Sequence, residues 1–204
     1  MTKRARWIDE ASRRQAEAAG EVMIPGRRVL ILGVGARSFQ WPGVERDGFS
    51  TETWGINAAP TMYREGEWFE RWYHLHGESH TPAFDKEQML RSIRAGATKV
   101  YTPRGWLPGS IAFPYDEVLR EFGSYFNNSL PLVVAHAILE GVEYLTLDGV
   151  QYGPDARREA WAVPCIEHML GVAAGRGLKV TTPPGSGIFE WNEHVYGLTG
   201  PGSW

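Results

Sequence analysis

Six short apolar stretches bounded by turn formers, most of them separated by helix-compatible sequence, constrain this fold more than any other feature. They are residues 28–33, "TETWGIN" (51–57), "RWYHLHG" (71–77), "TKVYT" (98–102), "EYLTLDG" (143–149) and "GRGLKVTT" (175–182). Each is too short for a helix and too apolar to leave a face in water, so each reads as a buried strand. Between them, "PAFDKEQMLRSIRAG" (82–96) puts Met89, Leu90 and Ile93 on one helical face and stops at Gly96. "DEVLREFG" (116–123) is a short helix, and Pro60 suits the first turn of another. Ser129 as N-cap, Pro131 in the first turn and "LVVAHAILEG" closing on Gly141 give the strongest helix signal. Residues 156–174 read as helical with a break or restart at Pro164. Residues 36–51, with Pro42, Gly43 and Gly48, do not read as a regular helix. Strands alternating with helices imply an α/β fold, Rossmann-like, with a mostly parallel sheet of about six strands and helices on both faces.

The chain is expected to divide into an N-terminal helical extension (1–27), a Rossmann-like domain (28–190) and an irregular tail (191–204). Its 204 residues fit one main core. The single Cys165 excludes an internal disulfide framework and suits a reducing compartment. No apolar run approaches the length of a membrane span, and the first 20 residues hold no hydrophobic signal core. A cytoplasmic protein is therefore expected. A net charge of −3 argues against a general nucleic-acid binder. Residues 1–28 hold seven Lys/Arg against four Asp/Glu, as in a solvated amphipathic helix. Of nine tryptophans, Trp41, Trp106 and Trp204 fall in expected loops, where they plug a core edge or line a cleft.

In an open parallel sheet, ligands bind beyond the carboxyl ends of the strands. Those ends carry Gly33, Gly35 and Ser38, then Asn57, then His74 and His76, then residues 102–105, then Asp148 to Tyr152. Gly33 and Gly35 would let backbone N–H groups approach a phosphate. A dinucleotide enzyme would have a third glycine at Ser38 and an acid at Asn57 to grip the ribose. Asn57 instead suits a base edge or a sugar hydroxyl, which disfavours NAD. "HLHGESH" tempts a metal reading, but no carboxylate or cysteine set completes it, and there is no Asp-x-Asp. No metal is therefore expected. His76 reads as a polar side chain reaching the crevice, and His74 as structural or rim-exposed. His136 reads as a satisfied core histidine, and Cys165 with Met169 as packing. Walker and nucleophile-elbow motifs are missing.

"VLILGVGARS", "TWGIN", "SLPLVVAHAILEGVEYLTLDGVQY" and "GLKVTTPPGSGIF" together resemble the bacterial CMP-sialic-acid-dependent sialyltransferases. They are also similar to the motility-accessory-factor proteins and the archaeal 6-hydroxymethylpterin diphosphokinases. Short proteins of tailed bacteriophages are more similar still, including "FERWYHLH". The resemblance covers about residues 28–190 and is gapped. It implies a nucleotide or nucleotide-sugar ligand whose phosphate-ribose side is held by Gly33, Gly35 and Ser38. Asn57 would contact ribose or base, His76 would supply a second polar contact, and Ser129 would touch substrate. Tyr152 would bind the departing phosphate.

The implied activity is metal-independent, nucleotide-sugar-dependent glycosyl transfer, with a glycan, a small molecule or a modified DNA base as acceptor. Its alternatives are a non-catalytic nucleotide-binding or sequestering protein and a diphosphotransferase. The last would need Mg²⁺ on Asp148 and Asp155. The segment that carries the sialyltransferases' histidine base is shortened here to "GPDARREAWAVP", without histidine. Asp148, Glu167 and His168 are the substitutes as base, with Tyr152 and Arg157 or Arg158 stabilising the leaving group. No membrane partner is implied, and a homo-oligomer is compatible with the sequence.

Overall fold

The computed structural model describes residues 26–34, 52–62, 69–150, 160–182 and 188. Among them, seven strands form one all-parallel sheet: β1 (Arg28–Leu32), β2 (Glu52–Ile56), β3 (Arg71–Tyr73), β4 (Lys99–Thr102), β5 (Ile111–Ala112), β6 (Tyr144–Asp148) and β7 (Lys179–Thr181). Their order is β5-β4-β3-β2-β1-β6-β7. The chain thus steps outward from β1 to β5, then returns to lay β6 and β7 on β1's other side. This is the Rossmann-like α/β arrangement with one strand more than the six expected. The addition, β5, has two residues, both exposed at the sheet edge. It lacks the apolar run that marks the inner strands.

Alternation along the strands sends side chains to two faces. Val29, Ile31, Trp54, Tyr73, Leu145 and Leu147 pack in the larger core with α2 (Tyr115–Phe122), α3 (Ser129–Leu139) and α4 (Val163–Gly175). On the opposite face Trp72 and Val100 meet α1 (Ala83–Ala95) through Met89, with Leu90 and Ile93 beside it. Helices therefore cover both faces. α1 ends at Gly96 in the left-handed region (φ 66°), as its sequence requires. Pro164 lies in the first turn of α4, so it starts that helix and does not break it. Cys165, Met169 and His136 are core residues, as expected.

Four charges close a ring at the amino edge of the sheet. Arg27 bonds Glu52 (2.7 Å) and Glu140 (3.0 Å), while Arg71 bonds Glu140 (2.8 Å) and Glu52 (3.3 Å). Arg71 is only 5% exposed, and its guanidinium lies 4.5 Å from the Trp54 ring centroid. Burial opposes its charge, but the carboxylates and tyrosine hydroxyls around it win and hold it protonated. Arg71 also faces the Tyr73 and Tyr101 hydroxyls at 3.4 Å, and those two rings stack at 4.7 Å. The Tyr73 hydroxyl reaches His136 Nδ1 at 2.9 Å. Because His136 Nε2 faces the Glu140 carboxylate at 3.5 Å, the imidazole proton belongs on Nε2 and Tyr73 donates to Nδ1.

Two outcomes follow from this ring. Arg71→Ala leaves two carboxylates short of a partner and uncovers Trp54, so urea unfolding should show a loss of about 3 kcal/mol; a loss below about 1 kcal/mol would mean that the ring is ornamental. Burial pulls His136 down to about 4, whereas Arg71 pulls Glu140 down to about 2. Below the ordinary histidine value of about 6.5 the unfolded chain takes up a proton that folded His136 refuses, so stability falls as pH drops from about 6.5 towards 4. Urea titrations across that window should give a shallower fall in His136→Gln; equal slopes would contradict this. His74, also held low by burial, keeps part of the slope.

Candidate functional site

The connection after β1 leads to β2 on one side, and the connection after β6 leads to β7 on the other. The two diverge at the carboxyl ends of β1 and β6, which is where ligands bind in sheets of this kind. Gly33 N–H donates to the Asp148 carbonyl at 2.8 Å and zips the two strand ends together. A Cβ on Gly33 would lie 2.6 Å from the Gly149 carbonyl oxygen. Close backbone approach between β1 and β6 therefore already demands glycine here, independently of any phosphate. Asp148 turns back on its own turn: its Oδ1 accepts from Gly149 N–H at 2.6 Å, with Gly149 in the left-handed region (φ 62°).

Asn57 ends β2 in the left-handed region (φ 52°), a conformation that asparagine tolerates better than most side chains. Three bonds fix it. Its N–H donates to the Tyr73 carbonyl (2.8 Å), its carbonyl accepts from Trp72 Nε1 (2.6 Å), and its Oδ1 accepts from Ser129 Oγ (3.2 Å). The Ser129 bond fixes which way the half-buried amide is turned and leaves Nδ2 as its donor. Ser129 is not the N-cap of α3. Asn128 is: its side chain accepts from Leu130 N–H at 3.1 Å, and Ser129 is the first helical residue. Losing the cap frees the Ser129 hydroxyl to hold Asn57. Asn57 and Ser129, 72 residues apart, thus meet beside the partly positive end of α3.

The third strand's histidines separate. His74 is 2% exposed, with Nε2 2.9 Å from the Thr81 hydroxyl, so it is structural. Burial and the nearby His76 lower its pKa. His76 is exposed, its ring 5.4 Å from that of His74 and its carbonyl accepting from Trp106 Nε1. Among the described residues no three His, Cys, Asp or Glu side chains gather as a metal site. Glu167 is half-buried in α4, and the exposed His168 lies edge-on to Tyr125 at 5.5 Å. Gly35, Ser38, Tyr152, Asp155, Arg157 and Arg158 lie outside the described residues, as do Trp41 and Trp204.

Sequence reasoning missed Trp72 and Asn128. Trp72 carries no signal beyond strand alternation, but the paired Asn127-Asn128 before an apolar run marks a cap one residue earlier than Ser129. None of the protein-family models, curated proteins or solved structures compared with the chain matches it.

Gly33→Ala should cost about 1–3 kcal/mol in denaturant unfolding through its clash with Gly149. An alanine variant as stable as the parent would return Gly33 to a role in ligand approach alone.

Proposed function

We propose that this chain binds a nucleotide at the carboxyl edge of its sheet, and that it transfers a group from a nucleotide sugar without a metal ion. The observation that carries this reading is the Asn57–Ser129 contact beside the β1–β6 divergence. It offers an uncharged amide donor where a dinucleotide enzyme would offer a carboxylate. An N–H donor there suits a phosphate, sugar or base oxygen. Glycosyl transfer further rests on the sequence resemblance, with Tyr152 and Arg158 as leaving-group stabilisers and Asp148 or Glu167 as base. A modified DNA base remains within the acceptor class that a phage-like protein would use.

A second reading, nucleotide binding without catalysis, draws on the state of Asp148. One of its oxygens accepts from the N–H of Gly149, which gives this side chain a turn-forming role that needs no catalysis. The diphosphotransferase reading would need Asp148 turned outward to Mg²⁺ together with Asp155.

Thermal melting with CMP, UDP, GDP, ATP and NAD tests binding, since a ligand at about one hundred times its Kd adds about 2.7 kcal/mol. At least one mononucleotide or nucleotide diphosphate should raise Tm by several degrees, and NAD should not. Asn57→Asp keeps the acceptor for Ser129 but replaces the donor with a negative charge. It should weaken the best nucleotide about tenfold or more. A flat response to every nucleotide would sink the binding claim. Mass spectrometry of donor hydrolysis then separates a transferase from a binder.

A further inference from the structure

One polar atom enclosed beside Asn57 has nothing to bond. His74 is 2% exposed, and its Nδ1 is buried without a hydrogen-bond partner. The other ring nitrogen decides where the proton sits. Nε2 lies 2.9 Å from Thr81 Oγ1, and that hydroxyl gives its single proton to the Gly77 carbonyl at 3.0 Å. Nε2 must therefore be the N–H donor, which leaves Nδ1 a bare lone pair in the neutral ring. A buried acceptor without a donor is destabilising. What Nδ1 faces, short of a hydrogen bond, is the Asn57 carbonyl, which is a second acceptor. That carbonyl takes the Trp72 indole N–H at 2.6 Å and has a second lone pair for another donor. Two lone pairs opposed in this way bond only when a proton is placed between them.

We propose that His74 is a positioning residue for Asn57: on taking up a proton it donates from both nitrogens, Nε2–H to Thr81 and Nδ1–H to the Asn57 carbonyl, and braces the corner that presents the Asn57 amide. In the neutral ring the brace is open. Asn57 sits at φ 52°, a region most side chains avoid, so a further bond to its carbonyl bears directly on how firmly that corner is held. Among the described residues, two titratable groups act on the ring. The His76 imidazole, its centroid 5.4 Å away, opposes protonation, and Asp85 in the first turn of α1 favours it. Burial opposes it more than either, so the brace closes below the ordinary histidine value of about 6.5. It belongs to the free chain and holds whether or not a nucleotide binds.

Nuclear magnetic resonance of the unliganded chain tests this through the imidazole nitrogens and the Asn57 carbonyl carbon. At about pH 7.5, above the ordinary histidine value, His74 should carry its proton on Nε2 with Nδ1 bare. On acidification the Asn57 carbonyl carbon and the Trp72 indole N–H, which share one oxygen, should shift with the midpoint of the His74 ring. His76→Gln removes the opposing charge, so the His74 midpoint should rise and the Asn57 midpoint with it. His74→Gln does not titrate and should leave the Asn57 carbonyl flat over the same range. An Asn57 carbonyl that stays flat while His74 titrates in the parent chain would overturn the proposal, and that result depends on no variant folding. So would a proton already on Nδ1 in the neutral ring, or an Asn57 carbonyl that still titrates in His74→Gln. A His74 ring that stays neutral until the chain unfolds would overturn it as well.

Discussion

The ring of Arg27, Glu52, Arg71 and Glu140 is the constraint on which the arrangement of this protein turns. Two guanidiniums and two carboxylates alternate, so the charges balance within the ring and each carboxylate serves two cations. Burying Arg71 without them would carry a penalty of several kcal/mol. Glu140 is the residue that caps the carboxyl end of α3, and the other three come from the starts of β1, β2 and β3 or just before. The ring therefore ties the end of α3 to the amino edge of the sheet. An 11-residue helix held at one end delivers its other end to a defined height, and that end carries Ser129 against Asn57. An electrostatic lock on one edge of the sheet thus sets the geometry of the opposite edge.

Tyr73, Tyr101, Trp54 and His136 fill the space between ring and helix. Arg71 donates to both tyrosine hydroxyls, the Tyr73 hydroxyl bonds His136 Nδ1, and His136 Nε2 faces the Glu140 carboxylate at 3.5 Å, so these enclosed polar atoms have partners. Burial keeps the Tyr73 phenol protonated and the His136 ring neutral, which suits that direction of donation. Polar groups enclosed in this way resist alternative packings, because any slip of α3 would leave several of them without partners.

The sheet and its helices could be read from sequence because strand burial and helix amphipathicity are written locally. Val29, Ile31, Leu145 and Leu147 announce themselves by their neighbours, and Gly96 announces the end of α1. Asn57 and Ser129 could be named because strand ends and helix starts are local features too. Their contact could not, since it depends on where α3 sits along the sheet. The charge ring was invisible for the same reason: its members are separated by up to 113 positions and each looks like an ordinary surface charge. The edge strand β5 escaped because two exposed residues hold no period. Gly33 shows a different limit. A glycine after a first strand signals phosphate approach, yet here the Gly149 carbonyl alone is close enough to exclude a side chain.

Amide chemical-shift mapping with the best-binding nucleotide addresses the whole arrangement at once. The largest shifts are expected at Asn57, including its side-chain NH₂, at Asn128 to Leu130 and at Gly149, with residues around Arg71 and Glu140 unmoved. Shifts concentrated at the amino edge, or scattered with Asn57 silent, would contradict the view that the charge ring positions α3 to build a ligand site at the far edge.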